Sequence, residues 1–327
     1  MDSADMASKD MASDRIFASK FPSRHDGVTR RTLLAGAAGL SVAALLPAVA
    51  SAEFPIPDVP PLEKEDYGEA RKRFHTNLLR KGPSPEQSPP LGTPAGARKV
   101  MYRGGPNGSI ELIAWISPYE PSVKLKPAVL FLHGGNATGD GHWELMKAYW
   151  EAGYVVMLPS FRGENGQAGN YSGFYDETSD ALAAASYLEE LPGIDKSRFF
   201  LAGHSNGGTL ALLASMTRKF RASAPISAGV NSWRYFGRFE REVRFDENDQ
   251  KEFIMRSSVC FGHSLKCPTL LLRGTEERPF DADHQLLMDR AKSAGVLIEA
   301  KLLPGNHNGV VPGAVAESIS FFNQVTG

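Results

Sequence analysis

This chain of 327 residues has little cysteine, no charge of one sign in excess and no long apolar run. Two cysteines, Cys260 and Cys267, are too few for a disulfide-stapled scaffold or a four-cysteine zinc site. They and the eight histidines form no cluster with zinc-ligand spacing, and no phosphate-cradling Walker or dinucleotide loop occurs. No metal or cofactor is therefore expected. Thirty-six Lys and Arg stand against 37 Asp and Glu, a formal charge of −1. That balance gives no reason to expect a nucleic-acid or other polyanionic partner. The most apolar stretch, residues 33–46, falls short of the roughly 20 residues a membrane span requires. No internal repeat is apparent downstream.

What is present begins with an export pattern. Thr29-Arg30-Arg31-Thr32-Leu33-Leu34 carries twin arginines before that Ala/Gly/Leu-rich stretch. Pro47 follows it, and Ala50-Ser51-Ala52 has the small-residue form of a cleavage site. Residues 1–52 are expected to be a bacterial twin-arginine signal, placing the protein in the periplasm or outside the cell. No stable membrane association is expected after cleavage. Residues 53–98 form a Pro-rich arm, expected to wrap the domain or run free, with one charged helix over 63–81. Residues 99–327 form the remaining domain. After export, Cys260 and Cys267 can form a disulfide or remain separate thiols.

Within that domain, short apolar runs near 128–132, 154–158, 198–202, 222–227, 269–272 and 297–303 alternate with helical stretches. A hairpin over 99–103 and 110–116 precedes them. Continuous apolar strands spaced by helices predict an α/β fold, with a mostly parallel sheet covered on both faces.

One turn in this pattern carries chemistry. Gly203-His204-Ser205-Asn206-Gly207-Gly208 joins an apolar strand to a small-residue helix. Glycines two before and two after Ser205 permit a sharp turn that lifts its hydroxyl clear of the sheet. The following helix N-terminus favours a developing oxyanion. A serine nucleophile needs a histidine base, and the histidine needs a carboxylate. Downstream, the strand Pro268–Arg273 ends in Gly274-Thr275-Glu276-Glu277, and the next apolar segment ends in Pro304-Gly305-Asn306-His307. The expected triad is Ser205, Glu277 and His307, with Glu276, Asp281 and Asp283 as rivals for the acid.

These motifs resemble the prolyl-oligopeptidase-like (S9) branch of the α/β-hydrolases, which shades into dienelactone-hydrolase-like esterases. The resemblance covers roughly residues 97–325. It includes His133-Gly134-Gly135 after an apolar strand, Phe161-Arg162-Gly163-Glu164-Asn165-Gly166, and Asp176, Glu177 and Asp180 at a helix start. Ser205-Asn206-Gly207-Gly208 is similar to the oligopeptidase form of the elbow. The family usually has aspartate where Glu277 stands. The resemblance implies an oxyanion hole from the backbone N–H of Asn206 and that of Gly135 or Asn136, with the Asn136 side-chain amide as an alternative. Members of this family can use a tyrosine hydroxyl from that loop, and this loop has none. His133 is expected to order the loop, and His204 to lie buried beside the elbow.

A small cap is expected over 230–258, before the acid strand. Its Asn231-Ser232-Trp233 resembles a family site whose aromatic lines the acyl pocket. Trp233 is expected as a pocket wall, and Trp143 as another, with packing of the cap against the sheet as the other reading. The arm leaves no room for the β-propeller of larger oligopeptidases. The expected activity is therefore hydrolysis of carboxylic esters through an acyl-enzyme on Ser205. The alternatives are a peptidase acting on short peptides and a non-catalytic binding protein on the same scaffold.

Overall fold

A computed structural model describes residues 54–86, 88–277 and 281–326. The expected export signal lies outside the described residues.

Eight strands form one sheet: β1 (Arg98–Gly104), β2 (Ile110–Ile116), β3 (Lys126–Leu132), β4 (Val155–Pro159), β5 (Ile194–His204), β6 (Ser223–Ile226), β7 (Thr269–Gly274) and β8 (Ile298–Leu303). Their order is β1-β2-β4-β3-β5-β6-β7-β8. β2 runs antiparallel to both β1 and β4, and the six strands from β4 to β8 are parallel. This is the α/β-hydrolase arrangement, and no propeller is present among the described residues.

Nine helices accompany the sheet among the described residues: α1 (Tyr67–Arg73), α2 (Asp140–Leu145), α3 (Lys147–Glu151), α4 (Tyr175–Glu189), α5 (Asn206–Thr217), α6 (Ser232–Arg238), α7 (Gln250–Ile254), α8 (Ala282–Ser293) and α9 (Val311–Gln324). The central strands β3, β4 and β7, and β5 from Phe199 onward, are largely apolar because both faces are covered, whereas the edge strands β1 and β8 and the start of β5 at Asp195–Arg198 carry charged residues. Alternation along them divides the interior in two. Leu130, Leu132, Met157 and Leu201 enter the core shared with α4 and α5. Val129, Phe131, Val156 and Phe200 enter the core shared with α3 and α9.

The arm is packed onto the domain. Tyr67 is buried, and its hydroxyl donates to the Met255 carbonyl at 2.9 Å. The charged helix expected over 63–81 is only the seven residues of α1. Beyond Phe74 the chain is drawn into tertiary bonds that a helix cannot make. Thr76 Oγ1 and the Asn77 N–H both donate to Glu252, and Leu78 bridges to Phe245.

The cap over 230–258 consists of α6, a 3-10 turn at Glu240–Glu242 and α7. Burial corrects two expectations. Trp233 is not a pocket wall: it is buried and stacks on Phe253 at 5.4 Å, within the core. Trp143 is likewise buried, between Trp115 and Trp150, and its indole N–H donates to the Ala95 carbonyl. For both residues, packing of large apolar area prevails over cleft lining. Cys260 and Cys267 are separate buried thiols with no disulfide. Burial pushes both up to about 12, which makes them poor nucleophiles.

Candidate active site

The parallel strands end together. Leu132 of β3 pairs with Gly203 of β5, His204 with Ile226 of β6, and Ile226 with Leu272 of β7. Gly274 at the end of β7 pairs with Leu303 at the end of β8. The loops beyond these carboxyl ends converge, as ligand-binding loops of open α/β sheets do.

Ser205 sits at the sharpest of these turns, with φ 54° and ψ −116°, a backbone conformation rare for a residue with a Cβ. The turn is held from below. Its N–H donates to the Ile226 carbonyl, and its carbonyl accepts from the Thr209 N–H at the start of α5. The flanking glycines are required by closeness: a Cβ on Gly203 would lie 2.3 Å from the Gly207 carbonyl oxygen, and one on Gly207 2.0 Å from that of Leu132.

His307 Nε2 lies 3.0 Å from Ser205 Oγ, and His307 Nδ1 lies 2.8 Å from Glu277 Oε1. A carboxylate only accepts, so the proton is on Nδ1 and Nε2 is left to accept from the serine hydroxyl. The His307 side chain is half exposed, whereas that of Glu277 is only 9% exposed. Burial works against the Glu277 charge. Hydrogen bonds from His307 and Ser227 and the nearby Arg273 guanidinium more than offset this, holding the carboxyl below its ordinary range. Ser227 Oγ donates to the same Oε1 at 2.7 Å. Sequence reasoning missed Ser227. Its signal was position, one residue beyond β6 at the end of the sheet where the site gathers.

Of the rival acids, Asp281 and Asp283 are engaged elsewhere. Asp281 caps α8 through the N–H groups of Asp283 and His284 and also pairs with the His284 ring. Asp283 accepts from Asn231 and Arg234. Glu276 is exposed, and its backbone N–H donates to the Gly305 carbonyl.

Two further histidines shape the loops. His204 Nε2 donates to the His307 carbonyl at 2.8 Å, tying the base's loop to the elbow. Burial, with the His307 ring beside it, lowers His204 to about 4, so it is neutral at pH 7. His133 faces an oxygen from each ring nitrogen, Gly134 O and Glu164 Oε2, both at 3.0 Å. Burial disfavours its charge, but the Glu164 carboxylate more than compensates and holds His133 above the usual histidine range. Glu164 also accepts from the Phe161 N–H and Ser160 Oγ. Arg162 next to it forms a two-pronged pair with buried Asp180 and a further bond to Asp176.

In the loop after β3, the Asn206 side chain donates to the Gly135 carbonyl and to Asn136 Oδ1, both at 3.1 Å. The Asn136 N–H donates to Glu86 Oε2 at 3.1 Å. This corrects the expectation for the Asn136 backbone N–H, which is committed to Glu86, while the Asn206 bond occupies the side-chain oxygen and not the side-chain amide N–H group. Gly135 remains as the loop's candidate backbone donor. The Asn206 N–H is the first of α5, where a helix has no internal acceptor to offer.

Fold and geometry thus define a serine hydrolase on an α/β-hydrolase scaffold. A model of the prolyl oligopeptidase family matches residues 142–321, more than half of the sequence. The chain belongs to the prolyl oligopeptidase family. Among curated proteins it is similar to the uncharacterized peptidase YtmA of Bacillus subtilis, with 23% identity over 147 residues, 42% of this chain and 57% of that one. Among solved structures it resembles dipeptidyl peptidase 4 of Porphyromonas gingivalis, with TM-score 0.58 and 20% identity. That match covers 70% of this chain and 35% of the other. A puromycin-hydrolyzing peptidase of Mycobacterium tuberculosis matches with TM-score 0.60 and 20% identity, over 71% of this chain and 39% of the other. An acylaminoacyl peptidase of Pyrococcus horikoshii matches with TM-score 0.57 and 17% identity, over 70% and 40%. The chain therefore spans well under half the length of these solved relatives, and at such identities the likeness is one of fold. No helix among the described residues is long and apolar enough to cross a membrane.

Proposed function

We propose that the chain is a serine peptidase that cleaves acyl–amine bonds of short peptides or aminoacyl amides through an acyl-enzyme on Ser205. The observation that carries this reading is the continuous line Ser205–His307–Glu277, with 3.0 and 2.8 Å links. Membership of a peptidase family favours an amide over the carboxylic ester that sequence alone suggested. His307 takes the serine proton as Ser205 attacks the acyl carbon. Glu277 stabilises the resulting imidazolium. The N–H groups of Asn206 and Gly135 receive the oxyanion. His307 then protonates the leaving amine, and a water activated by the same ring releases the acid. The complete triad argues against a non-catalytic binding protein.

A panel of aminoacyl p-nitroanilides and matched p-nitrophenyl esters tests the reading. Serine peptidases also cleave activated esters, so measurable anilide turnover is the deciding result. Ester turnover with no anilide turnover across the panel would restore the esterase. Export is proposed on sequence grounds alone, from Arg30-Arg31 and Ala50-Ser51-Ala52. Mass spectrometry of protein from the native host is expected to find a mature N-terminus near residue 53. An intact residue 33–46 segment would reject cleavage.

A further inference from the structure

The Pro-rich arm crosses the site at the oxyanion loop. The Tyr171 N–H donates to the Gly82 carbonyl, the Ser84 N–H to Gly163, and Asn165 Nδ2 to Pro89, so both sides of the crossing are anchored. Between the anchors, Ser84 Oγ donates to the Asn136 carbonyl and Glu86 accepts from the Asn136 N–H. Ser84 is buried under this contact, whereas Glu86 is exposed.

These bonds fall on one peptide unit. The 135–136 peptide has its carbonyl held by Asn206, from the elbow helix, and its N–H held by Glu86, from the arm. The next carbonyl, that of Asn136, is held by Ser84. Gly135 has φ 70° and no Cβ, so its backbone is an easily rotated point of the loop. Pinning the peptide on its far side fixes the direction of the Gly135 N–H. A misplacement of about 1 Å at such a donor can cost roughly 100-fold in rate. The family match begins at residue 142, so neither the arm nor this loop lies within it.

We propose that Ser84 and Glu86 are positioning residues for acyl transfer: the arm sets the oxyanion loop that the catalytic body alone leaves adjustable. This rests on the serine hydrolase reading of Ser205. The Glu86 carboxylate works as an acceptor rather than as a charge, since a negative charge beside a forming oxyanion opposes it. Glu86→Gln keeps an acceptor oxygen and removes the charge, whereas Glu86→Ala removes both.

The test uses the full chain and a p-nitrophenyl ester or aminoacyl anilide that the wild type turns over. Glu86→Ala and Ser84→Ala are expected to lower kcat about tenfold with KM within about twofold, and Glu86→Gln to retain most of wild-type kcat. Equal or higher kcat in Glu86→Ala would overturn the proposal, the higher value marking the arm as an inhibitory latch. A Glu86→Gln as impaired as Glu86→Ala would also overturn it. Hydrogen exchange of the 133–139 segment gives an answer independent of turnover. Faster exchange at Asn136 in Glu86→Ala, with Glu86→Gln close to wild type, supports the pin, and unchanged exchange rejects it. Failure of wild type to react with a fluorophosphonate would instead count against the serine hydrolase reading.

Discussion

Glu277 takes a place where this family usually has aspartate, and its surroundings explain how the longer side chain serves. Ser227 and His307 both donate to one carboxylate oxygen, while Arg273 lies 3.5 Å from the other. The extra methylene is thereby held in one orientation. Glu277→Gln is expected to lower kcat by about 10²–10⁴-fold, because an amide no longer enforces the Nδ1–H tautomer. Ser227→Ala removes a bond to a charged group, and steady-state kinetics should show a loss of about tenfold. His204 gives a pH signature. Its folded-state value of about 4 lies below the ~6.5 of an unfolded chain. Between these values the unfolded state binds more protons, so stability falls as pH is lowered through that window. The contribution is about 1.4 kcal/mol per pH unit. Urea melts of wild type and His204→Gln at pH 7, 5.5 and 4.5 should show the shallower dependence in the variant. Parallel slopes would mean that His204 is not held neutral. Ser205 and His307 were legible because each stands in a glycine-marked loop after an apolar strand. Ser227 and Glu86 were not, because nothing local distinguishes a serine or glutamate that acts across 50 residues of sequence.

At the scale of elements, the site depends on closeness between β3, β5 and α5. The Gly207 position touches the Leu132 carbonyl, so Gly207→Ala must push α5 away from the sheet. A destabilisation of about 3 kcal/mol or more is expected, roughly 6–12 °C in thermal midpoint by calorimetry. A wild-type midpoint in that variant would show that the elbow has slack. The strand pattern was readable because segments buried on both faces are continuous apolar runs, as in Ala128–Leu132 of β3 and Phe199–Ala202 of β5. The charged run over 63–81 misled because helical propensity is weak beside tertiary demand. Thr76 and Asn77 satisfy Glu252, itself paired with buried Arg256, and that network ends the helix at Arg73. The aromatic cap misled similarly. Trp233 has the composition of a pocket wall, but its stack on Phe253 can be known only once α6 and α7 are packed.

For the whole molecule, the catalytic body shares its fold with enzymes more than twice its span, while the arm supplies what lies over the oxyanion loop. The His307 side chain is half exposed. The central claim is an acyl-transfer centre at Ser205 driven by His307 and Glu277. It is tested most directly by treating the folded full chain with a fluorophosphonate and mapping the adduct by peptide mass spectrometry. The account predicts one stoichiometric adduct on Ser205, formed far more slowly in His307→Ala. No adduct on folded protein, or an adduct on another residue with Ser205 unmodified, would contradict it.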